Sequence, residues 1–183
     1  MLGLIDAGRV VDAPGAILTG VAMGTQALYA RVAHDQRFRF RAVDVTHGID
    51  VLAGIERFVA INSVLEVDLF GQANAEFMKG RQVSGIGGLA NFLRGAAASR
   101  GGMPIVALPS TAAKGTVSRI VPRLGPEAVS LPRSDISWVV TEHGAVDLRG
   151  ADIDRRAECL ISIADPAHRD DLTDAWAEMR RGV

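Results

Sequence analysis

The stretch from Phe58 to Arg94, FVAINSVLEVDLFGQANAEFMKGRQVSGIGGLANFLR, constrains the fold more than any other part of the chain. Phe58 to Leu69 is almost all β-branched or apolar, interrupted by Asn62, Ser63, Glu66 and Asp68, and it predicts two strands. Gly71-Gln72-Ala73-Asn74 supplies turn chemistry. Ser84-Gly85-Ile86-Gly87-Gly88 then forms a glycine-rich loop, and helix-favouring residues begin at Leu89. Glycine has no Cβ, so the N–H groups of such a loop can come close to an oxygen-rich ligand at a helix start. A tight strand-to-helix turn without a ligand has the same composition, so the loop by itself does not decide.

The same alternation runs through the rest of the chain. Leu2, Leu4, Ile5 and Ala7 before Gly8 read as the end of a helix with a glycine stop. Ala16 to Met23 predicts a buried strand, and Gly24-Thr25 caps a helix from Gln26 to about His34. Phe38, Phe40, Ala42 and Val43 predict the next strand, followed by a short helix around Asp50 to Glu56. Beyond the glycine loop, a helix from about Leu89 to Ser99 ends at Gly101-Gly102. Pro104–Leu108, Val117–Val121 and Ile136–Thr141 predict three more strands. Ile153–Ala164 and Pro166–Arg181 predict two closing helices, Asp165-Pro166 setting the start of the last. Several strands are apolar throughout and alternate with helices. That pattern predicts an α/β domain with a largely parallel sheet flanked by helices. No repeat, low-complexity tract or long linker interrupts it, so residues 1–183 read as one domain. Asp170, Asp171, Asp174, Glu178, Arg180 and Arg181 give the closing helices a solvated face.

Composition excludes several classes. A chain of 183 residues, 48% of them hydrophobic, can build a real core. A formal net charge of −1 gives no electrostatic basis for binding nucleic acid or a membrane surface. No apolar run approaches the roughly twenty residues that span a bilayer. Met1 to Gly8 has no basic region and no long apolar core, so it is no secretory signal. The single Cys159 forms no internal disulfide and fits a reducing compartment, where it reads as a buried, apolar-like helix residue. These points favour the cytoplasm. Four scattered histidines and one cysteine have no metal-ligand spacing, so no metal is expected.

Five separated segments carry a resemblance. They are Ala60-Ile61-Asn62-Ser63 with Leu65–Leu69 and Gly71-Gln72; Gly85-Ile86-Gly87-Gly88 with Phe92; and Ala107-Leu108-Pro109-Ser110-Thr111 with Ser118–Pro122. Val140-Thr141-Glu142-His143-Gly144 with Asp147–Gly150, and Leu160–Ala164 with His168-Arg169, complete the set. In this order, over almost the whole chain, they resemble the C-terminal domain of the acetyl-CoA hydrolase/transferase family, which includes acetate and 4-hydroxybutyrate CoA-transferases. The resemblance implies a class I CoA-transferase-like C-terminal domain, with acyl-CoA and a small carboxylate as substrates. Coenzyme A is then a co-substrate, and no other cofactor is implied. In the family a glutamate attacks the thioester, giving an acyl-glutamyl anhydride and then a glutamyl-CoA thioester, which is nucleophilic catalysis by a carboxylate. The oxyanion of each step needs preorganised donors.

By the same resemblance, Gly88 matches a glycine whose amide helps form the oxyanion hole, with Gly85 and Gly87 beside it in the substrate loop. Glu142 matches a second, non-nucleophilic glutamate. Two nearby carboxylates would raise each other's pKa; the alternative is a plain ion pair with Arg149. His47 falls, within about one residue, where relatives carry an asparagine that holds the acyl oxygen. Histidine can donate there, with a charge that varies near neutral pH; the alternative is a surface-loop histidine. Asn62 and Glu66 alternate along a strand and so face one side, either toward substrate or bonding neighbouring backbone. Lys114, before Gly115, either meets a CoA phosphate or pantetheine or is simply solvated.

Two departures matter. Leu89 and Asn91 stand where relatives have Gln and Asp in Gly-Gly-Gln-x-Asp-Phe, although Phe92 is kept. The family's nucleophilic glutamate lies just upstream of the helix that ends here at Ala7-Gly8, so it and the N-terminal domain are expected outside this chain. The chain alone is therefore expected to be inactive and to need that domain or a partner subunit. The apolar patch left bare predicts self-association into a homo-oligomer. A second reading is a non-catalytic CoA-binding or assembly domain, to which Leu89 and Asn91 lend support. A dinucleotide site fits poorly, because Gly85-Ile86-Gly87-Gly88 is not GxGxxG.

Overall fold

Gly8 ends the first helix, α1 (Leu2–Asp6), as its left-handed φ of 65° allows. Its N–H bonds the Ile5 carbonyl at 3.0 Å and the Arg9 N–H bonds the Leu4 carbonyl at 2.8 Å, which satisfies the last carbonyls of the turn. The computed structural model describes residues 1–181 and falls into two compact units, Met1–Val51 and the remainder from Leu52 onward.

The first unit is built on a β–α–β element. Strand β1 (Ile17–Thr19) is shorter than the predicted Ala16–Met23. The Thr19 hydroxyl donates to the Val21 carbonyl (2.7 Å) and accepts from its N–H (3.3 Å), a local turn that takes the backbone out of the strand. Helix α2 (Gln26–His34) starts at Thr25, whose hydroxyl accepts from the Leu28 N–H. Strand β2 (Phe38–Phe40) then lies parallel to β1, with Ile17 opposite Phe38. Val43 does not extend β2, as the sequence predicts, but opens a one-turn helix, α3 (Val43–His47). Helix α4 (Ile49–Ala53) follows.

The second unit carries the larger core. Its elements are β3 (Val59–Ser63), β4 (Glu66–Asp68), β5 (Ala73–Asn74), β6 (Phe77–Met78), β7 (Arg81–Gln82), helix α5 (Leu89–Ala98) and β8 (Met103–Ala107). Then come β9 (Thr111–Ala112), β10 (Val117–Ser118), β11 (Ile120–Val121), β12 (Trp138–Thr141), β13 (Gly144–Asp147) and α6 (Ile153–Ser162). A 3₁₀ turn (Pro166–His168) and α7 (Arg169–Arg180) close the unit. The main sheet runs β13-β12-β8-β3; β3, β8 and β12 are parallel, and β13 pairs antiparallel with β12. A smaller sheet, β11-β4-β5, pairs β11 and β4 in parallel. The predicted strand Val117–Val121 therefore breaks at Arg119, one half pairing with β9 and the other with β4. Asn62 and Glu66 do not share a strand either: β3 ends at Ser63, β4 begins at Glu66, and the two belong to different sheets.

The main sheet has one covered face and one open face. Ala60, Val106 and Val139 point into a core shared with Leu93 and Ala96 of α5 and Ala157 and Leu160 of α6. Gly95 is required in α5 because a Cβ there would collide with the Leu52 side chain. Cys159 is half-buried against the same core. Asp152 caps α6, its carboxylate accepting from the Arg155 N–H at 2.8 Å. Asp165 caps the 3₁₀ turn rather than α7, which starts at Arg169. The predicted solvated face of the closing helices is present, with Asp170, Asp171, Asp174 and Glu178 all exposed.

Candidate functional site

Parallel strands bring their carboxyl ends to one edge, where α/β folds gather ligand sites. Here Ser63 stands opposite Ala107, and Ala107 opposite Val140. Just past them, Pro109-Ser110 leaves β8 and Glu142-His143 makes the two-residue turn between β12 and β13. The chain folds tightly at that turn because Thr141 is buried and holds it from below. Its hydroxyl donates to the Ile163 carbonyl at 2.6 Å and accepts from the His143 N–H at 3.1 Å. A groove lined by Ser63, Ala107, Leu108, Pro109, Val140 and Glu142 opens at this edge.

Glu142 is the charged group of the groove, with its side chain 51% exposed. Its two oxygens are each engaged by Ser110: the N–H at 2.8 Å and the hydroxyl at 2.7 Å. The Ser110 hydroxyl, followed by neighbouring N–H groups, holds the carboxyl below the usual glutamate range, and the nearby His143 adds to this. That direction is opposite to the raised pKa expected of a carboxylate pair, because the groups that meet Glu142 in this chain are donors. Nor is Glu142 paired with Arg149, which forks onto Asp147 instead, 2.6 Å from its Oδ2. His143 Nε2 lies 4.0 Å from Glu142 and 3.5 Å from Asp165.

The start of α5 is directed toward the same end of the strands. Ser99, just past the end of α5, accepts from the Phe58 N–H (3.1 Å) and donates to the Ile55 carbonyl (2.6 Å), beside the start of β3. Helix α5 therefore runs antiparallel to β3, and Gly88, its N-cap, lies toward the strands' carboxyl ends with Glu142. Gly85 and Gly87 are exposed and open space surrounds the Cβ position of each. Gly87 needs its glycine for a φ of 54°, whereas crowding requires neither residue, which leaves room for close approach by a ligand.

The model of the acetyl-CoA hydrolase/transferase C-terminal domain matches residues 24–176. The chain belongs to that family. It is 40% identical over 175 residues to the 4-hydroxybutyrate coenzyme A transferase of Clostridium kluyveri, covering 95% of this chain and 41% of that protein. To the succinyl-CoA:cyclohexane-1-carboxylate CoA transferase of Geobacter metallireducens it is 39% identical over 180 residues, covering 98% and 41%. The crystal structure of RipA from Yersinia pestis superposes with a TM-score of 0.85 at 39% identity, covering 97% of this chain and 40% of that one. The chain thus spans about two fifths of the length of these relatives.

Within this acetyl-CoA hydrolase/transferase domain the remaining predicted residues are dispersed. Asn62 is half-buried on the covered side of the sheet, in register with Val106, so its neighbour Ser63 faces the groove instead. Glu66 accepts from the Asn74 amide at 3.2 Å. Lys114 is exposed on the turn between β9 and β10, in a left-handed conformation with φ of 59°, and the Gly115 carbonyl beside it lies 2.9 Å from His168 Nε2. His47 belongs to the first unit and ends a short helix rather than sitting in a loop; its Nδ1 shares a 2.8 Å hydrogen bond with the Thr46 hydroxyl. Sequence reasoning missed Ser110 and Ser63 as site residues. Both lie in segments that carry the resemblance, and for Ser110 the local signal was Leu108-Pro109-Ser110-Thr111, a polar break directly after an apolar strand. Among the described residues no group of His, Cys, Asp and Glu is placed to hold a metal ion, and no helix is long and apolar enough to cross a membrane.

Proposed function

We propose that this chain supplies the C-terminal part of an acyl-CoA:carboxylate CoA-transferase active site. The observation that carries this reading is the Glu142–Ser110 pair at the carboxyl edge of the main sheet, the edge toward which the Gly88 end of α5 also points. Acyl transfer runs through a glutamate that this chain does not itself contain. That glutamate attacks the thioester carbonyl, CoA leaves as thiolate, and the anhydride formed is reopened by the thiolate at the glutamyl carbonyl. The acyl carboxylate departs, and an incoming carboxylate reverses the sequence. The Gly88 N–H takes the oxyanion, Gly85 and Gly87 let the acyl-CoA approach the backbone, and Glu142 is the second, non-nucleophilic carboxylate, close to the nucleophile. Lys114, on its exposed turn, is suited to a CoA phosphate, while His47 rests on the family resemblance for its part in holding the acyl oxygen. Water in place of the incoming carboxylate gives acetyl-CoA hydrolysis.

The open face of the main sheet fits this division of labour. Val59, Ile61 and Met103 are 50%, 69% and 38% exposed, and Ile61, Ile105 and Trp138 stand in register across three strands. Ser63, Ala107 and Val140 continue the same face into the groove at Glu142. A partner portion docked on this apolar face brings its own residues against Glu142, so the completing part of the enzyme is the natural occupant.

Exchange of labelled acetate into acetyl-CoA tests the reading. The chain alone gives no exchange. Mixed with the portion of the Clostridium kluyveri transferase that it does not match, it gives exchange, and Glu142→Gln lowers the rate about 100-fold, the order seen when a preorganised electrostatic group is lost. Exchange by the chain alone refutes a shared site. Assembly without exchange favours the second reading, a CoA-binding or assembly domain, which Leu89 and Asn91 support.

A further inference from the structure

We propose that Ser110 is a positioning residue of this site: its N–H and hydroxyl grip the two oxygens of Glu142 and aim that carboxylate into the groove. The inference rests on the reading of Glu142 as part of the transfer site. Ser110 is fully buried, unusual for a hydroxyl at a sheet edge, and its carbonyl accepts from the Arg119 N–H at 2.7 Å. The Leu108 N–H bonds the Val140 carbonyl at 3.1 Å, which ties the segment before Pro109 to β12. Glu142 is fixed from its own side by Thr141. Both ends of the contact are therefore rigid, and the two donors arrive in the fork geometry that makes charge-assisted pairs strong.

The grip has a chemical consequence. The Ser110 hydroxyl and N–H and the Glu142 N–H do not fill the four acceptor sites of the carboxylate, and its half-exposed side chain presents what remains to the groove. An ionised acceptor repels an acyl oxyanion and attracts a donor. Acyl groups and carboxylates bring acceptors, whereas every acyl-CoA brings the amide N–H groups of its pantetheine arm. Glu142, held by Ser110, thus orients the CoA arm, and the oxyanion is left to Gly88. The other titratable groups facing this carboxylate are His143, at 4.0 Å, and Asp165 behind it.

Two experiments test this. In the chain itself, the carboxyl carbon of Glu142 is followed by NMR through acid titration in wild type, Ser110→Ala and Ser110→Thr. The midpoint is expected below the ordinary glutamate range in wild type, to rise in Ser110→Ala, and to return with Thr; equal midpoints in all three overturn the proposal. In the active assembly, Ser110→Ala and Glu142→Gln are combined. Ser110→Ala is expected to cost about tenfold in the transfer rate, equivalent to roughly 1.4 kcal/mol, and to add nothing in the Glu142→Gln background. The same cost in both backgrounds shows a merely structural serine and overturns the inference. A severe Glu142→Gln loss with a neutral Ser110→Ala overturns the inference alone, whereas a neutral Glu142→Gln overturns the functional reading beneath it.

Discussion

The two faces of the main sheet are made of the same kinds of residue and meet different fates. On one, Ala60, Val106 and Val139 are buried beneath α5 and α6. On the other, Val59, Ile61 and Met103 remain exposed. An antiparallel sheet with one wet face alternates apolar and polar residues, but this sheet is apolar on both sides, as sheets covered on both faces are. The difference teaches that the second unit has the composition of a two-sided sheet and, within the described residues, helices on one side. Glu142 lies where the open face meets the carboxyl edge.

The largest expected effect is on the covered side. Leu93→Ala removes a fully buried side chain of α5 and is expected to cost about 2–5 kcal/mol, read as a lowered denaturation midpoint at unchanged slope. A smaller effect follows from loosening the cover: Asp152→Ala deletes the α6 cap and costs about 1 kcal/mol in the same measurement. The smallest effect on stability belongs to the open face. Ile61→Asp is expected to change stability by no more than about 0.5 kcal/mol, read in the same denaturation measurement. If Ile61→Asp unfolds the chain as Leu93→Ala does, the contrast between the faces is wrong.

The sequence made the helices legible because their ends carry chemistry. Thr25 and the glycine loop mark the starts of α2 and α5, and the predicted ends at about His34 and Ser99 differ from the observed ones by a residue at most. Strand limits were less legible. Val64 and Leu65 are as apolar as the strands on either side, so nothing local announces that the chain changes sheets there. Strand β13 escaped prediction because its turn, Glu142-His143, has none of the Asn-Gly or Asp-Gly chemistry of common hairpins. Of the site, the Gly88 loop and Glu142 at a strand end could be seen in the sequence. Ser110 could not be seen, because the carboxylate it holds lies 32 residues away and only parallel pairing of β8 with β12 brings the two together. Which face of the sheet stays open was invisible for a related reason: both faces read as core.

The most direct test of the account is to titrate the unmatched portion of the Clostridium kluyveri transferase into this chain and into its Ile61→Asp variant, following acetate exchange into acetyl-CoA. The account predicts saturable activity with the wild-type chain. The variant should require at least a tenfold higher concentration to reach it, because the open face is where the completing portion docks. Identical titration curves would contradict the account, since the site would then be completed without the open face.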